Sequence, residues 1–432
     1  MKKSHLIFFS IAISFVIFSV FYTSNPNRSR ETYVKIISKK QFYSKLKKAP
    51  SWMDEQIKAD VAFIKSKKVT QEALAETFET MKRNFAISKK DFIRYRIVDN
   101  KLYQCFLDDE KISKKEEAFE KAIKTILKLK KLPDVDFIYS HIDGLPSKVN
   151  KYKTRFYYED KRDFYLVKDE TKQAPIFTRA KSKDVKEGIL IPDYVALSEL
   201  WPKLQKKIIA VSSDVSWNEK AARLHWRGAS SKTERFNLCE LSLKHQNIID
   251  AGFVDTINDR KIEELKLWGK LDIYQFLKRD FANKKEQLNH KYLPVLDGVM
   301  CTYPGYHWRL LSNSLVLKQT SDEIQWFYKA LKPYVHYVPI EHDLSDILEK
   351  VNWAVLNDDK CQKIVQEATD FVLNNLMLED VYVYFYKALL EYSKHQDFTK
   401  KDLKQDLKND KRWVAISNRR KGNEILKKRG LL

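Results

Sequence analysis

Apolar residues follow two alternating rhythms along this chain. From Lys114 to Leu132 they recur at three- and four-residue spacing among lysines and glutamates, which predicts a long helix. Between such stretches lie short apolar runs that predict strands. Ile93, Tyr95 and Ile97, then Leu102 and Tyr103, mark a strand-forming region from Phe92 to Phe106. Val135 to Tyr139, Ile208 to Val211, Tyr292 to Leu296, Leu315 to Leu317 and Val335 to Ile340 continue the series. Asp343 and Asp346 supply caps for a helix running to Val355, and helical periodicity dominates from Cys361 to Tyr392. Ile189 to Leu200 carries turn and helix signals, and the polar residues 150–188 show no readable period. Helices alternating with short strands predict an α/β fold.

One apolar run differs. Leu6 to Tyr22 holds no charge, and only Ser10, Ser14 and Ser19 interrupt it. As a helix it spans about 25 Å, near the lower limit for crossing a bilayer. It predicts an uncleaved anchor within residues 1–24; the competing reading is a cleaved signal peptide, which the length of the run and the lack of a small-x-small site disfavour. The cations from Arg28 to Lys48 outnumber Lys2 and Lys3, so the positive-inside bias keeps the body cytoplasmic, whereas an anchor of the secretory type exports it. A chain of 432 residues exceeds one ordinary core. The remainder divides into a basic stem with leading helices (25–90), a first α/β domain (91–205), a second α/β domain (206–394) and a very basic tail (395–432).

The formal net charge of +22 favours anionic partners: nucleic acid, an acidic membrane surface or phosphorylated substrates. No nucleic-acid motif is present, which disfavours the first. Cys105, Cys239, Cys301 and Cys361 are widely spaced and form no C-x-x-C, so neither a zinc site nor a disulfide framework is supported, and a reducing compartment is favoured.

The densest chemistry is Trp226-Arg-Gly-Ala-Ser-Ser-Lys-Thr-Glu-Arg235. Ser231 and Glu234 have capping-box spacing, and Phe236, Cys239 and Leu243 follow at helical intervals. A helix start attracts phosphate, and Arg227, Lys232 and Arg235 add charge-assisted donors. Recognition of a diphosphate and a solvated basic loop both remain open on these ten residues. Elsewhere, Asp143-Gly144 is a turn signal that His141 borders. Asp134-Val-Asp136 imitates a metal-binding D-x-D, but Asp136 opens an apolar strand, which favours a structural role.

Several segments in consistent order resemble glycosyltransferase family 90. They are Tyr95–Tyr103, Leu132–Phe137 through Asp143, Trp226–Arg235, Ile249–Phe253, His290–Gly298, Ser314–Gln319, Leu331–Pro339 and Asp343–Asp346. The resemblance implies a GT-B-like enzyme, two Rossmann-like domains facing a cleft, that transfers a sugar from a UDP-sugar with inversion and without a metal or other cofactor. Asp143 matches the family's general base. Arg227, Gly228 and Arg235 match its diphosphate motif, with Ser230 standing in for a serine that is Ala229 here. Lys232 and Asp297 complete the expected donor site. Arg309 stands about one turn later than the family's second donor-site arginine. The expected function is a membrane-anchored hexosyltransferase, with glucose as the sugar by resemblance, acting on a hydroxyl of lipopolysaccharide or another envelope glycan at a bacterial inner membrane. The alternatives are a luminal protein O-glucosyl- or xylosyltransferase of the endoplasmic reticulum or Golgi acting on serine, and a non-enzymatic basic module that binds nucleic acid or lipid.

Overall fold

Arg94 and Arg96 alternate with Ile93, Tyr95 and Ile97, so one strand face is cationic and the other apolar. The computed structural model describes residues 37–84, 92–106, 114–147 and 166–416, and it buries both faces of this strand. Arg94 grips Asp136 through Nε at 2.9 Å and Nη2 at 2.8 Å, and Arg96 Nε reaches the same carboxylate at 3.0 Å. Asp406 offsets the excess positive charge through Arg96 at 2.8 Å, and the Trp413 ring lies 3.9 Å from the Arg96 guanidinium. Burial alone would raise the Asp136 pKa, but Arg94 and then Arg96 outweigh it and hold the carboxyl below its ordinary value. Asp136 is therefore a structural carboxylate, as its place in an apolar strand suggested.

The first half carries β1 (Phe92–Val98), β2 (Lys101–Cys105), β3 (Val135–Ser140), β4 (Ile176–Thr178), β5 (Lys181–Ser182) and β6 (Gly188–Leu190). The second carries β7 (Ala221–Gly228), β8 (Ile249–Phe253), β9 (His290–Val295), β10 (Leu315–Gln319), β11 (Glu323–Ile324) and β12 (Val338–Ile340), and β13 (Trp413–Ala415) follows near the end. The larger sheet has the order β13-β2-β1-β3-β4-β6. Its β13-β2-β1-β3 part is antiparallel and its β3-β4-β6 part parallel, so this half is a mixed sheet and departs from the expected Rossmann-like pattern. The cause is local: Asp99 and Asn100 take φ of +50° and +60°, making a two-residue turn that folds β2 back onto β1 as a hairpin.

The other sheet, β12-β10-β9-β7-β8, is parallel throughout. Its order is that of a doubly wound nucleotide-binding sheet, with the topological switch point between β7 and β9. Two assignments change here. Ile208–Val211 lies in the helix Leu200–Ser213, not in a strand. The segment read as a tail supplies the helix Lys400–Asn409 and β13, which extends the first sheet along β2. The leading helices expected within 25–90 are Lys39–Lys47, Ser51–Asp60 and Gln71–Asn84, and they put Phe42, Met53 and Ile57 into the core.

The main hydrophobic cluster runs through both halves. At its centre Trp326 lies 5.7 Å from Trp52 and 4.6 Å from Tyr384, ring to ring. A second cluster, including Leu224, Trp226, Phe236 and Phe253, fills the far face of the parallel sheet. β5 and β11 pair across the halves through Ser182–Glu323 and Lys181–Ile324. Among the described residues no helix is long and apolar enough to cross a membrane; the predicted anchor, Leu6 to Tyr22, lies outside them.

Candidate active site

In an open parallel sheet, ligands sit beyond the carboxyl ends of the strands at the switch point. Here that place lies between Gly228, which ends β7, and Leu296-Asp297-Gly298, which follow β9. The helix Thr233–Lys244 starts beside it, and its N-cap, Lys232, makes no side-chain cap. The expected Ser231–Glu234 capping box is not formed. Glu234 instead pairs with His342 at 2.7 Å, and the Ser231 hydroxyl is buried without a partner.

Arg235 spans the crevice. Its Nε donates to the Asp297 carbonyl at 2.9 Å, Nη2 to the Leu296 carbonyl at 3.1 Å and Nη1 to the Ala229 carbonyl at 2.8 Å. The guanidinium also lies 5.3 Å from the Trp226 ring. A Cβ on Gly228 would stand 2.4 Å from that indole, so the glycine lets Trp226 fold under Arg235. At Gly298 a Cβ would stand 3.4 Å from Arg235 Nη2 and 3.9 Å from Ser231 Oγ, so its missing side chain leaves a small cradle above them.

Arg309 belongs to the same neighbourhood. Its Nη1 donates to the Gly305 carbonyl at 3.2 Å and its Nε is buried without a partner. Burial, and then the Arg235 cation, lowers its pKa to about 9. Burial likewise lowers Arg235 to about 10. Neither guanidinium is ion-paired with a carboxylate among the described residues. Asp297 and Asp255 offset part of the Arg235 charge without touching its guanidinium, whereas Arg309 feels only the repulsion of Arg235, so the pair keeps a net positive charge that suits an anion.

Asp297 is buried at the same strand end. Burial would raise its pKa, but Lys318, 3.4 Å from Oδ1, then Lys232 and the Ser321 hydroxyl lower it; among the described residues Oδ2 has no hydrogen-bond partner. An ionised carboxylate with a free oxygen suits a ligand hydroxyl. Next to it, Lys318, Gln319, Thr320 and Ser321 share with Lys183 of the first half the lining of a cavity of about 280 Å³.

Two expected donor ligands are committed elsewhere. Arg227 points off the sheet: Nη2 bonds Asp250 Oδ1 at 2.8 Å, Nη1 the Asp250 and Trp226 carbonyls, and Nε the Asp280 carbonyl. Strand alternation is the reason, because Trp226 takes the opposite face. Ser230 gives its hydroxyl to Asp255 at 2.8 Å and so braces the loop. Beside Arg227, the ligand atoms of His225, Asp250 and His290 lie within 4.8 Å of one another, a grouping that sequence spacing did not reveal. The two imidazoles stack at 4.3 Å and 18°, so their in-plane lone pairs run parallel instead of converging, and Asp250 is already engaged by Arg227 and by His225 Nδ1 at 3.1 Å.

Across the crevice Asp143 follows β3. Gly144, with φ +148°, turns the chain tightly against Ala180, whose carbonyl would stand 2.7 Å from an added Cβ. Arg179, just past β4, donates Nε to the Ile142 carbonyl at 3.0 Å and Nη2 to both the His141 carbonyl and Asp143 Oδ1 at 2.7 Å. Asp143 Oδ2 makes no hydrogen bond among the described residues, and the side chain is 41% exposed. His141 is a core histidine: burial lowers its pKa to about 3, and its ring packs 4.5 Å from Tyr139.

The two sides meet through Tyr303, whose hydroxyl donates to the Asp143 carbonyl at 2.6 Å. Sequence reasoning missed Tyr303, Arg179 and the orphan hydroxyl of Ser231. The first two had no local signal, since their partners lie 160 and 36 residues away.

The crevice at the end of the parallel sheet thus has buried guanidiniums on one wall and the half-exposed Asp143 carboxylate on the other, in an α/β protein. The chain matches the family model described as glycosyl transferase family 90 over residues 45–422, and it belongs to that family of sugar-transferring enzymes. It is 26% identical over 332 residues to human protein O-glucosyltransferase 3, covering 75% of this chain and 59% of the relative. It is 29% identical over 228 residues to protein O-glucosyltransferase 2 of Danio rerio, covering 52% and 43%. With protein O-glucosyltransferase 1 of Rattus norvegicus it shares 28% over 197 residues, covering 45% and 47%. The chain thus spans less than two thirds of the length of these relatives. A glycosyltransferase structure from Rickettsia africae ESF-5 is similar over 51% of this chain and 64% of its own, at 14% identity and a TM-score of 0.31, a likeness too low to bear on function.

Proposed function

We propose that this chain transfers a sugar, glucose in the first instance, from a UDP-sugar to the hydroxyl of a protein side chain. The observation that carries the reading is the pair of buried, unpaired guanidiniums, Arg235 and Arg309, at the switch point opposite Asp143. Charge builds on the leaving diphosphate as the glycosidic bond breaks, and fixed cations in a dry site stabilise it. Asp297 Oδ2 and Ser231 Oγ, each buried without a partner, take ligand hydroxyls or phosphate oxygens. Asp143 Oδ2 removes the proton of the acceptor hydroxyl as it attacks the anomeric carbon. With one carboxylate acting from the acceptor side, the displacement inverts the anomeric centre. No step calls for a metal ion.

The names of the relatives favour a protein hydroxyl as acceptor. One observation favours the envelope-glycan reading: all four cysteines are free and buried, which suits a reducing compartment over an oxidising lumen. The test is a donor and acceptor screen in the presence of chelator. UDP-sugars are offered with a serine-containing folded domain or with lipopolysaccharide, and the product anomer is read by NMR. Chelator-insensitive transfer with inversion to the domain is expected. Transfer to lipopolysaccharide alone would shift the acceptor to the second reading, and no turnover of any UDP-sugar would end both.

A further inference from the structure

We propose that Tyr303 is a positioning residue, reaching from the donor-side wall to fix the backbone of Asp143 at the place where its carboxylate meets the acceptor. The inference rests on the reading of Asp143 as the base. Tyr303 stands on the loop between β9 and the helix Gly305–Leu310. One end of that loop belongs to the donor site: the Thr302 hydroxyl donates to the Leu296 carbonyl, which also accepts Arg235 Nη2 at 3.1 Å. The next residue delivers its phenol to the Asp143 carbonyl at 2.6 Å. The cation expected to hold the diphosphate and the carboxylate expected to activate the acceptor are thus tied by one short loop with a hydrogen bond at each end.

The turn 141–143 is held from two sides. Arg179 secures it from within the first half through the carbonyls of His141 and Ile142 and through Asp143 Oδ1. Tyr303 secures it from the second half, with its ring 5.1 Å from the Arg179 guanidinium. Burial pushes the Tyr303 phenol well above its ordinary pKa, so it remains a donor across the working pH range. Arg179 fixes the direction of the carboxylate; Tyr303 adds the direct bond between the Asp143 turn and the donor wall, beside the β5–β11 pairing that also joins the halves. Transfer is steep in that distance, because a misplacement of about 1 Å costs on the order of 100-fold in rate.

The experiment is Tyr303→Phe, which keeps the ring and deletes the hydroxyl, run beside Asp143→Asn. Initial rates are measured against donor concentration, and melting temperature is recorded for each variant. The expected result for Tyr303→Phe is a fall in kcat of roughly 10- to 100-fold, with the donor KM unchanged and the melting temperature lowered by no more than a few degrees, as the loss of one buried hydrogen bond requires. A wild-type kcat, or a loss matched by an equal rise in donor KM, or a variant largely unfolded at the assay temperature, would overturn the positioning role. If Asp143→Asn is inactive while Tyr303→Phe is wild-type, this inference alone fails. If Asp143→Asn turns over at the wild-type rate, the assignment of the base fails and takes this inference with it.

Discussion

Replacing Asp143 with asparagine is expected to lower sugar transfer by about 10²- to 10⁴-fold while leaving UDP affinity nearly unchanged. Asparagine keeps the shape of the side chain, and its amide oxygen can still accept from Arg179 Nη2, which reaches Asp143 Oδ1 at 2.7 Å in the native protein. What it loses is the capacity to take a proton through Oδ2. The effect is confined to kcat because Arg235, Arg309 and Asp297, the groups expected to hold the donor, lie on the other wall. Calorimetric titration of UDP and initial-rate measurements separate the two quantities. Equal loss of both would make Asp143 a structural turn residue.

Replacing Asp136 with alanine is expected to destabilise the fold by about 3–5 kcal/mol, because it leaves buried cations without their counter-ion. Arg94 and Arg96 both converge on this carboxylate. Arg96 keeps Asp406, whose side chain is 37% exposed, but among the described residues Arg94 keeps no carboxylate within salt-bridge distance, and Trp413 covers both guanidiniums from β13. Urea unfolding reads the loss as a lower midpoint at an unchanged slope. The same variant decides the meaning of Asp134-Val-Asp136. A metal-binding carboxylate there would cost metal-dependent activity with little stability, and a loss below about 1 kcal/mol would contradict the buried triad described above.

Much of this architecture is legible in the sequence where an element's own rhythm decides its form. The apolar runs at Val135–Tyr139, Tyr292–Leu296 and Leu315–Leu317 correspond to β3, β9 and β10. Ile208–Val211 misleads because it is the end of an amphipathic helix: Trp201, Gln205 and Ile208 turn inward while Ile209 is 40% exposed. β7 is hidden for the opposite reason. Arg223, His225 and Arg227 make one of its faces polar, and all three side chains turn to Asp250 on the adjacent strand. The lysine-rich tail conceals a helix and β13, and the leading helices of the stem conceal only their packing, since their apolar contacts lie hundreds of residues away, such as Trp52 with Trp326 and Tyr384.

At the candidate site, the structure brings Asp143, Arg235 and Asp297, which their turn, helix start and strand end single out together with the family resemblance, to one crevice. Arg227 and Ser230 match the same motif but are spent on Asp250 and Asp255, because a motif fixes residue types and not the directions in which strand and loop aim them. Arg179 and Tyr303 acquire their roles only when β4 and the loop after β9 are brought against the Asp143 turn.

In the proposed reaction one crevice holds the diphosphate of a UDP-sugar against Arg235 and Arg309, with Asp143 on the opposite wall. A crystal structure with UDP bound is the decisive experiment. The diphosphate is expected within hydrogen-bond distance of both guanidiniums and of the Ser231 hydroxyl, with its terminal phosphate turned towards Asp143. UDP seated anywhere else, with those guanidiniums still unpaired, would contradict it.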